Sequence, residues 1–583
     1  MSRRFLRFSA LLLGLAITLA GCGAGGGDGS GGGDGPGSSS PPLPPENQGP
    51  QRVGHNPNQL WYRGYSFSYD ANSNSAVLRD AEGDPLTYEF LFNSQAQPFP
   101  GFSVSGSTMS GIIDYDVVDM TITIIAKDGQ GRSAQDTFRL DVKENSFPEA
   151  VQPNSSRIVA VGAIDYDATQ NGATFRDADG HALTYSLEVL KASVPFTIAG
   201  TRIGAAFNGP GFIKAKLTAT DELGAATDDI FSLVVPTAIS ARPALPTSYV
   251  YDDALLDLPN IHRQSRANVI PLWDTTPVAN PTTNAGATLG RVLFYDKRLS
   301  ITNTVSCGSC HEQSHGFALG TRFGIGAFGE ETGRNPMALV NTRYNLAQGW
   351  FHDMRARSLE SLALMPIQDH RELGNTLALL EQKLATTDFY SPLFQAAFGT
   401  PDVTSDRVAK ALAQFLRSLI SYRAKFDLAY HPIGDDRPDA SLILTAQELR
   451  GKDVFFENNC AFCHTVDSGA MDDSANNGLD VVSADPGRGL PRNEFRSASL
   501  RNIVVSGPYM HDGRFATLRE VIDFYDSGVQ EAEWLSNLLR DLPLRTPRHL
   551  NLSEEDKRAL EAFLGTFTDT ALLSDPKFSD PFM

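Results

Sequence analysis

Apolar and polar residues alternate through much of the first 240 or so residues, and beyond them they fall at helical spacing. Met120-Thr121-Ile122-Thr123-Ile124 and Phe231-Ser232-Leu233-Val234-Val235 have the period of two that marks a strand with one buried face. Past about Pro246 the period lengthens. Val408, Leu412, Phe415, Leu419 and Tyr422 predict a core-facing helix over 405–422. Leu289, Val292 and Leu293 predict another. Thr445-Ala446-Gln447-Glu448 and Thr517-Leu518-Arg519-Glu520 are capping boxes, each opening a helix. On the helix that the second one opens, Leu518, Val521, Ile522 and Tyr525 share one apolar face. A tyrosine on such a face is ordinarily core.

Two N-terminal stretches have neither period. Phe8 to Ala20 is apolar and follows Arg3, Arg4 and Arg7, the layout of an export signal; it is well short of the ~20 residues of a spanning helix. Gly23 to Pro50 is almost wholly Gly, Ser, Asp and Pro and cannot bury a core, so it reads as a disordered tether with a reach of roughly 30 Å. Between them, Leu19-Ala20-Gly21-Cys22 resembles the lipobox of bacterial lipoproteins. The resemblance implies cleavage before Cys22 and a diacylglycerol on its sulfur. An ordinary secretory signal with an incidental cysteine is the alternative. The expectation is an exported chain in the periplasm or cell envelope, held to a membrane through the lipid anchor alone.

The alternating region repeats itself. Arg79-Asp80-Ala81-Glu82-Gly83-Asp84-Pro85-Leu86-Thr87-Tyr88 matches Arg176-Asp177-Ala178-Asp179-Gly180-His181-Ala182-Leu183-Thr184-Tyr185. Ala126-Lys127-Asp128-Gly129-Gln130-Gly131 with Asp136 and Phe138 matches Ala219-Thr220-Asp221-Glu222-Leu223-Gly224 with Asp229 and Phe231. The period is about 95 residues, the size of one β sandwich. These units resemble the cadherin-like, immunoglobulin-like repeats of bacterial surface proteins. Their acidic segments could bind Ca²⁺, as such repeats sometimes do; plain turn chemistry by Asp and Gly is the simpler reading. Adhesion, spacing and partner docking all stay open for them.

Composition narrows the function. The chain of 583 residues is 41% hydrophobic and 20% charged, with a formal net charge of -19. A nucleic-acid partner would want a basic face, so none is expected. Of the five cysteines, Cys22 belongs to the leader; the other four form Cys307-Gly308-Ser309-Cys310-His311 and Cys460-Ala461-Phe462-Cys463-His464. C-x-x-C-H is the attachment sequence of c-type haem. Two thiols form thioethers to one porphyrin, and the following imidazole is held where it can bind the iron. Two motifs imply two covalently bound haem c groups, with His311 and His464 as iron ligands. A zinc site is excluded by spacing, because zinc C-x-x-C pairs lie about 15–20 residues apart.

The residues around the motifs carry a more specific resemblance. Leu289-Gly290-Arg291-Val292-Leu293-Phe294-Tyr295 before the first motif, Arg334-Asn335, the stretch from Phe351 to Leu373, and the stretch from Ser497 to Tyr525 are similar to the bacterial di-haem cytochrome c peroxidase and MauG family, over roughly residues 255 to 570. The resemblance implies that H₂O₂ reacts at the N-terminal haem and that the C-terminal haem transfers or stores oxidising equivalents. It places Glu372 as the distal catalytic carboxylate and His352 between the haems, where the family has tryptophan. It puts Leu362 in place of a distal glutamine, with Trp350 as a substitute. It assigns Tyr525, with Met510 as runner-up, as the second ligand of the C-terminal iron, and Asn335, Ser506 and Pro508 as a Ca²⁺ site. The loop over 316–333 has no histidine, so the first iron is expected to be five-coordinate and high-spin. A small redox protein or a protein substrate would supply electrons, and a homodimer would match many relatives.

The expected architecture is multidomain, two all-β sandwiches followed by two mostly α-helical cytochrome c-type domains. Its parts are a signal peptide (1–21), a lipidated tether (22–50), the sandwiches (51–145 and 146–237), an N-terminal peroxidatic domain (238–437) and a C-terminal electron-transfer domain (438–583). The competing reading is a cell-envelope di-haem electron carrier without peroxidase turnover, both of its haems six-coordinate.

Overall fold

The computed structural model describes residues 48–96, 99–245, 249–251, 274–345, 349–430, 439–464, 474–541 and 544–583. The expected leader, Cys22, most of the tether and Met471 lie outside them. The chain divides into two compact units, Met1–Glu144 and Asn145–Met583. Among the described residues no helix is long and apolar enough to cross a membrane.

The first unit is a β sandwich. One sheet runs in the order Gln59–Tyr62, Ser133–Lys143, Val117–Lys127, Thr87–Phe92. The other runs Ser66–Asp70, Thr108–Ile112, Phe102–Ser105. Alternation does what the sequence predicts: Met120, Ile122, Ile124 and Ala126 point inward from one strand and Phe138, Leu140 and Val142 from its neighbour. The second unit begins with a sandwich of the same strand order. Arg157–Ile158, Ala226–Val235, Gly211–Thr220 and Thr184–Ala192 form one sheet, and Gly162–Asp167, Arg202–Phe207 and Phe196–Ala199 the other. In each sandwich the short first strand of the larger sheet lies parallel to the last. The sequence repeat is therefore a structural repeat.

The repeated polar residues explain its signature. Asp136 Oδ2 accepts from the backbone N–H of Asn56 at 2.8 Å and from Asn56 Nδ2 at 2.9 Å, and the Tyr69 hydroxyl donates to Asn56 Oδ1 at 2.7 Å. Asp229 Oδ2 accepts from Asn154 N and Nδ2, both at 2.7 Å, and the Tyr166 hydroxyl donates to Asn154 Oδ1. A buried carboxylate thus ties the entering chain to the last strand. The acidic turns use their side chains likewise. Asp80, Asp128, Asp177 and Asp221 each accept two backbone N–H bonds through one oxygen, which is turn chemistry. In the second sandwich Asp177, His181 and Asp221 also bring one ligand atom each to within 4.8 Å of one another.

The helical remainder of the second unit holds two similar constructions. Asn284–Tyr295 crosses Ser405–Ser418 so closely that a Cβ on Gly290 would lie 2.0 Å from the Ala411 carbonyl oxygen. Ala446–Glu457 crosses Glu554–Gly565, where a Cβ on Gly451 would lie 1.9 Å from the Ala559 carbonyl. Each first helix leads to one C-x-x-C-H. Both crossings are lined by phenylalanine: Phe294 with Phe415, and Phe455 with Phe563.

Two boundaries differ from expectation. The helix predicted over 405–422 ends at Ser418. Its apolar residues Leu419 and Tyr422 stay buried, but the backbone N–H groups turn to other acceptors: Ser421 to Asn341 Oδ1 at 2.7 Å, Tyr422 and Arg423 to Asp569 Oδ2 at 3.0 Å. The last residues pack on the first haem-motif core rather than on the second. Tyr251, Tyr295 and Arg291 donate to the carbonyls of Lys577, Phe578 and Ser579 at 2.6–2.7 Å.

Replacing Asp229 by Ala removes the acceptor of two buried Asn154 donors, which costs about 2–4 kcal/mol. A lowered thermal transition of the sandwich and faster amide exchange along Ala226–Val235 are the expected result; an unchanged transition would mean that the clasp adds nothing.

Candidate functional site

Each C-x-x-C-H is one turn of 3₁₀ helix. The backbone N–H of His311 bonds to the Cys307 carbonyl at 3.0 Å, and that of His464 to the Cys460 carbonyl at 3.0 Å. The turn brings two thiols and an imidazole to one side. His311 Nδ1 donates to the Phe317 carbonyl at 2.8 Å, and His464 Nδ1 to the Ala498 carbonyl at 2.8 Å. That bond fixes the tautomer and leaves Nε2 as the lone-pair nitrogen, as a metal-ligating histidine requires. Burial lowers the pKa of both imidazoles, which favours the neutral form that binds metal.

Cys307, Cys310 and His311 open into a cavity of about 320 Å³. Helix residues Phe294, Leu412 and Leu416 make part of its apolar wall. Leu362, Ala363 and Pro366, from Leu359–Gln368, make another, and Glu372 and His352 also line it. Glu372 follows that helix by four residues. Its backbone is tied on both faces: its N–H bonds to Asp369 O at 3.0 Å, and its carbonyl accepts from Ala327 N at 2.7 Å. Its carboxyl is pushed up to about 7, first by burial and then by Asp369, with Arg355 pulling the other way. Burial outweighs the one opposing cation, so near neutral pH the group is poised to take or give a proton.

The residues present fit a covalently attached haem. All four motif cysteines are free of disulfides, and Cys307, Cys310 and His311 line one cavity. Arg496 is a further match. It is buried and donates to the Gly349 carbonyl at 3.1 Å, its Nε has no partner among the described residues, and burial lowers its pKa to about 9. A buried guanidinium in that condition suits an acidic group such as a porphyrin propionate, and Met337, which its Nη2 touches at 3.8 Å, lines the cavity.

His352 is buried in the seam between the two haem-motif regions. Its Nε2 donates to Asn335 O at 2.9 Å, Asn335 N donates to His511 O at 2.8 Å, and the His511 ring stacks on Phe495 at 3.8 Å. Burial, with His511, Arg496 and Arg334 adding to it, lowers the pKa of His352 to about 4. It is therefore neutral at pH 7. Arg334 clamps the seam, paired with Asp485 at 2.7 Å through two nitrogens and with Asp353 at 2.6 Å.

Near the second motif, Tyr525 lies within electrostatic reach of both Cys460 and Cys463 and hydrogen-bonds to Asn477. Asn477 Nδ2 also touches Met510 Sδ at 3.8 Å. Both ligand candidates thus fall in one cluster with Leu479, Phe515 and Phe524. The helix predicted to carry Tyr525 ends at Asp523, and the tyrosine sits in a π turn, Phe524–Gly528. Burial pushes its phenol up, so an ionised phenolate there needs a strong positive charge beside it.

Some expected partners are turned elsewhere. Trp350 does not line the cavity among the described residues; its indole donates to the Thr342 carbonyl at 3.2 Å within the core. Asn335 donates through Nδ2 to Arg322 O at 3.0 Å, and the Ser506 hydroxyl to Ile503 O at 3.3 Å. Pro508 lines a surface crevice with the cations Arg322 and Arg514. Asn477, Asp485 and Arg496 were not visible in the sequence reading, because they lie in the aperiodic stretch between Ala475 and Ser497 where no spacing marks them.

Known proteins resemble this arrangement. A family model described as di-haem cytochrome c peroxidase matches residues 284–432. The methylamine utilization protein MauG of Methylophilus methylotrophus is 32% identical over 327 residues, 54% of this chain and 91% of that protein. The cytochrome c551 peroxidase of Nitrosomonas europaea is 33% identical over 249 residues, 41% of this chain and 71% of that protein. Among solved structures, a MauG-like protein associated with microbial copper homeostasis gives a TM-score of 0.47 at 28% identity, covering 55% of this chain and 99% of that one.

Proposed function

The chain belongs to the di-haem cytochrome c peroxidase family, and we propose that it uses H₂O₂ at the haem of Cys307, Cys310 and His311, with Glu372 as the acid–base group. The observation that carries this is a half-buried carboxyl, poised near neutrality, in the same cavity as both thiols and the imidazole. Haem iron supplies the electron chemistry that cleaves the O–O bond; the overall change takes H₂O₂, two electrons and two protons to two waters.

Glu372 does the work that iron cannot. As a carboxylate it accepts the proton of the peroxide oxygen that binds, and as the acid it returns that proton to the departing oxygen. A positioned group whose pKa lies near the working pH is efficient in both directions. Leu362, Ala363 and Pro366 keep the pocket apolar, which holds the carboxyl's pKa up and excludes bulk water from the proton's path.

The second haem, at Cys460, Cys463 and His464, transfers or stores oxidising equivalents in this reading. Tyr525 would be the second residue to hold that haem, because a phenolate would stabilise its oxidised iron, and ferric iron would be the positive charge that an enclosed phenolate needs. His352 acts between the haems as a neutral polar link, its Nε2–H already committed to Asn335. A small redox protein or a protein substrate donates the electrons, and the exported chain is held at a membrane by Cys22.

Two outcomes follow. Ionised Glu372 is the form that accepts the peroxide proton, so the second-order rate constant with H₂O₂ rises with pH through about 7 and levels off above it. Glu372→Gln lowers that constant by about 10²-fold or more and flattens the profile, with haem content intact; a wild-type rate would remove Glu372 from the mechanism. Tyr525→Phe alters the low-spin spectrum of the second haem and spares the first; an unchanged low-spin spectrum would assign the ligand to Met510.

A further inference from the structure

The second sandwich grips the backbone that carries Glu372. Lys214, on strand Gly211–Thr220, is only 1% exposed, which is rare for lysine unless it is paired. Its ammonium pairs with Glu330 and donates to the His370 carbonyl at 3.2 Å. Phe212, on the same face of the strand two residues earlier, meets Phe328 edge-on at 5.0 Å. From the neighbouring strand, Lys191 donates to the Gly329 carbonyl at 2.7 Å.

Phe328, Gly329 and Glu330 belong to one tight turn over 324–332. Thr332 N bonds to Gly324 O at 2.9 Å, and Gly329 N to Gly326 O at 2.9 Å. The turn's other side lies on the catalytic segment. Ala327 N donates to Glu372 O at 2.7 Å, and Gly326 comes so close that a Cβ there would lie 1.9 Å from Arg371 O. Residues 370 to 372 are thus held twice, at His370 directly by Lys214 and at Arg371 and Glu372 through the turn that Lys214 and Phe212 anchor. An apolar seam of Val234, Ile301, Ala327 and Phe328 backs the joint.

We infer that the second β sandwich is part of the support of the peroxide site, with Lys214 and Phe212 as positioning residues that fix Glu372 in the cavity through the 324–332 turn. The inference rests on the acid–base reading of Glu372 given above. It gives this β module a role in the chemistry of the chain, beyond spacing or adhesion.

The test uses the full-length, haem-loaded protein. The second-order rate constant with H₂O₂ is measured across pH for wild type, Lys214→Met and Phe212→Ala, together with haem stoichiometry and resting spectra. The groups facing Glu372 are Asp369, Arg355 and the thiols of Cys307 and Cys310, and those facing His370 beside it are Lys214, Asp369, Arg371 and Glu330. Phe212→Ala changes none of these charges, so a moved inflection in that variant reports position. Misplacing a reacting group by about an ångström costs up to 10²-fold. The expected result is a rate lowered by about tenfold and a displaced inflection in both variants, with two haems per chain. Should Lys214→Met fail to load haem, Phe212→Ala decides alone. Wild-type rate and inflection in a variant that loads both haems would overturn the inference. Glu372→Gln, run alongside, separates the failures. If it is slow while the sandwich variants behave as wild type, only the positioning role falls. If it is itself as fast as wild type, the acid–base reading falls and takes the inference with it.

Discussion

The crossing of Asn284–Tyr295 over Ser405–Ser418 at Gly290 is the contact on which the first cavity depends. The helices meet backbone to backbone, with no room for a Cβ. Phe294, Leu412 and Leu416 then stand side by side as one wall of the slot that receives Cys307, Cys310 and His311. A bulkier residue at Gly290 would have to force the Ala411 carbonyl away and open that wall. The same device recurs at Gly451 against Ala559 ahead of the second motif. Two haem sites of one design are thus set by two helix crossings, and their differences come from what surrounds each slot.

Those differences are electrostatic. The first slot contains a carboxyl whose environment disfavours its charge; moving its pKa from 4.5 to about 7 corresponds to on the order of 3 kcal/mol between its two protonation states. Arg355 opposes the shift, and it loses to burial and Asp369. The second slot has Tyr525, Asn477 and Met510 in one cluster, groups suited to closing an iron face rather than to moving protons. Between them, the ion pairs of Arg334 and the neutral His352 form a polar seam where relatives of this family were expected to place tryptophan. These electrostatics support the proposed division of labour, with proton chemistry at the first site and ligation at the second.

Much of this was legible in the sequence, and the misses have physical causes. The C-x-x-C-H turns, the sandwich repeat and the apolar helix faces are local patterns, and each appears where spacing put it. The helix over 405–418 ran too long in the sequence reading because Leu419 and Tyr422 keep the period while Asn341 and Asp569, distant in sequence, capture the backbone N–H groups. Tyr525 was expected on a regular helix, yet the chain makes a π turn there. Trp350 was a plausible cavity residue by proximity, but its indole N–H found the Thr342 carbonyl. Nothing in the sequence singles out Lys214; its partner Glu330, 116 positions away, shows that the sandwich bears on the segment that carries Glu372. Long-range pairing of this kind leaves no mark in the spacing of either segment.

The central claim is that the haem at Cys307–His311 keeps an iron face open to peroxide while the other haem is closed. Electron paramagnetic resonance of the resting ferric protein, followed by titration with H₂O₂, tests it most directly. The account predicts one high-spin and one low-spin ferric signal at rest, with the high-spin signal lost as peroxide is added. Two low-spin haems at rest, unchanged by H₂O₂, would contradict it and leave an electron carrier in its place.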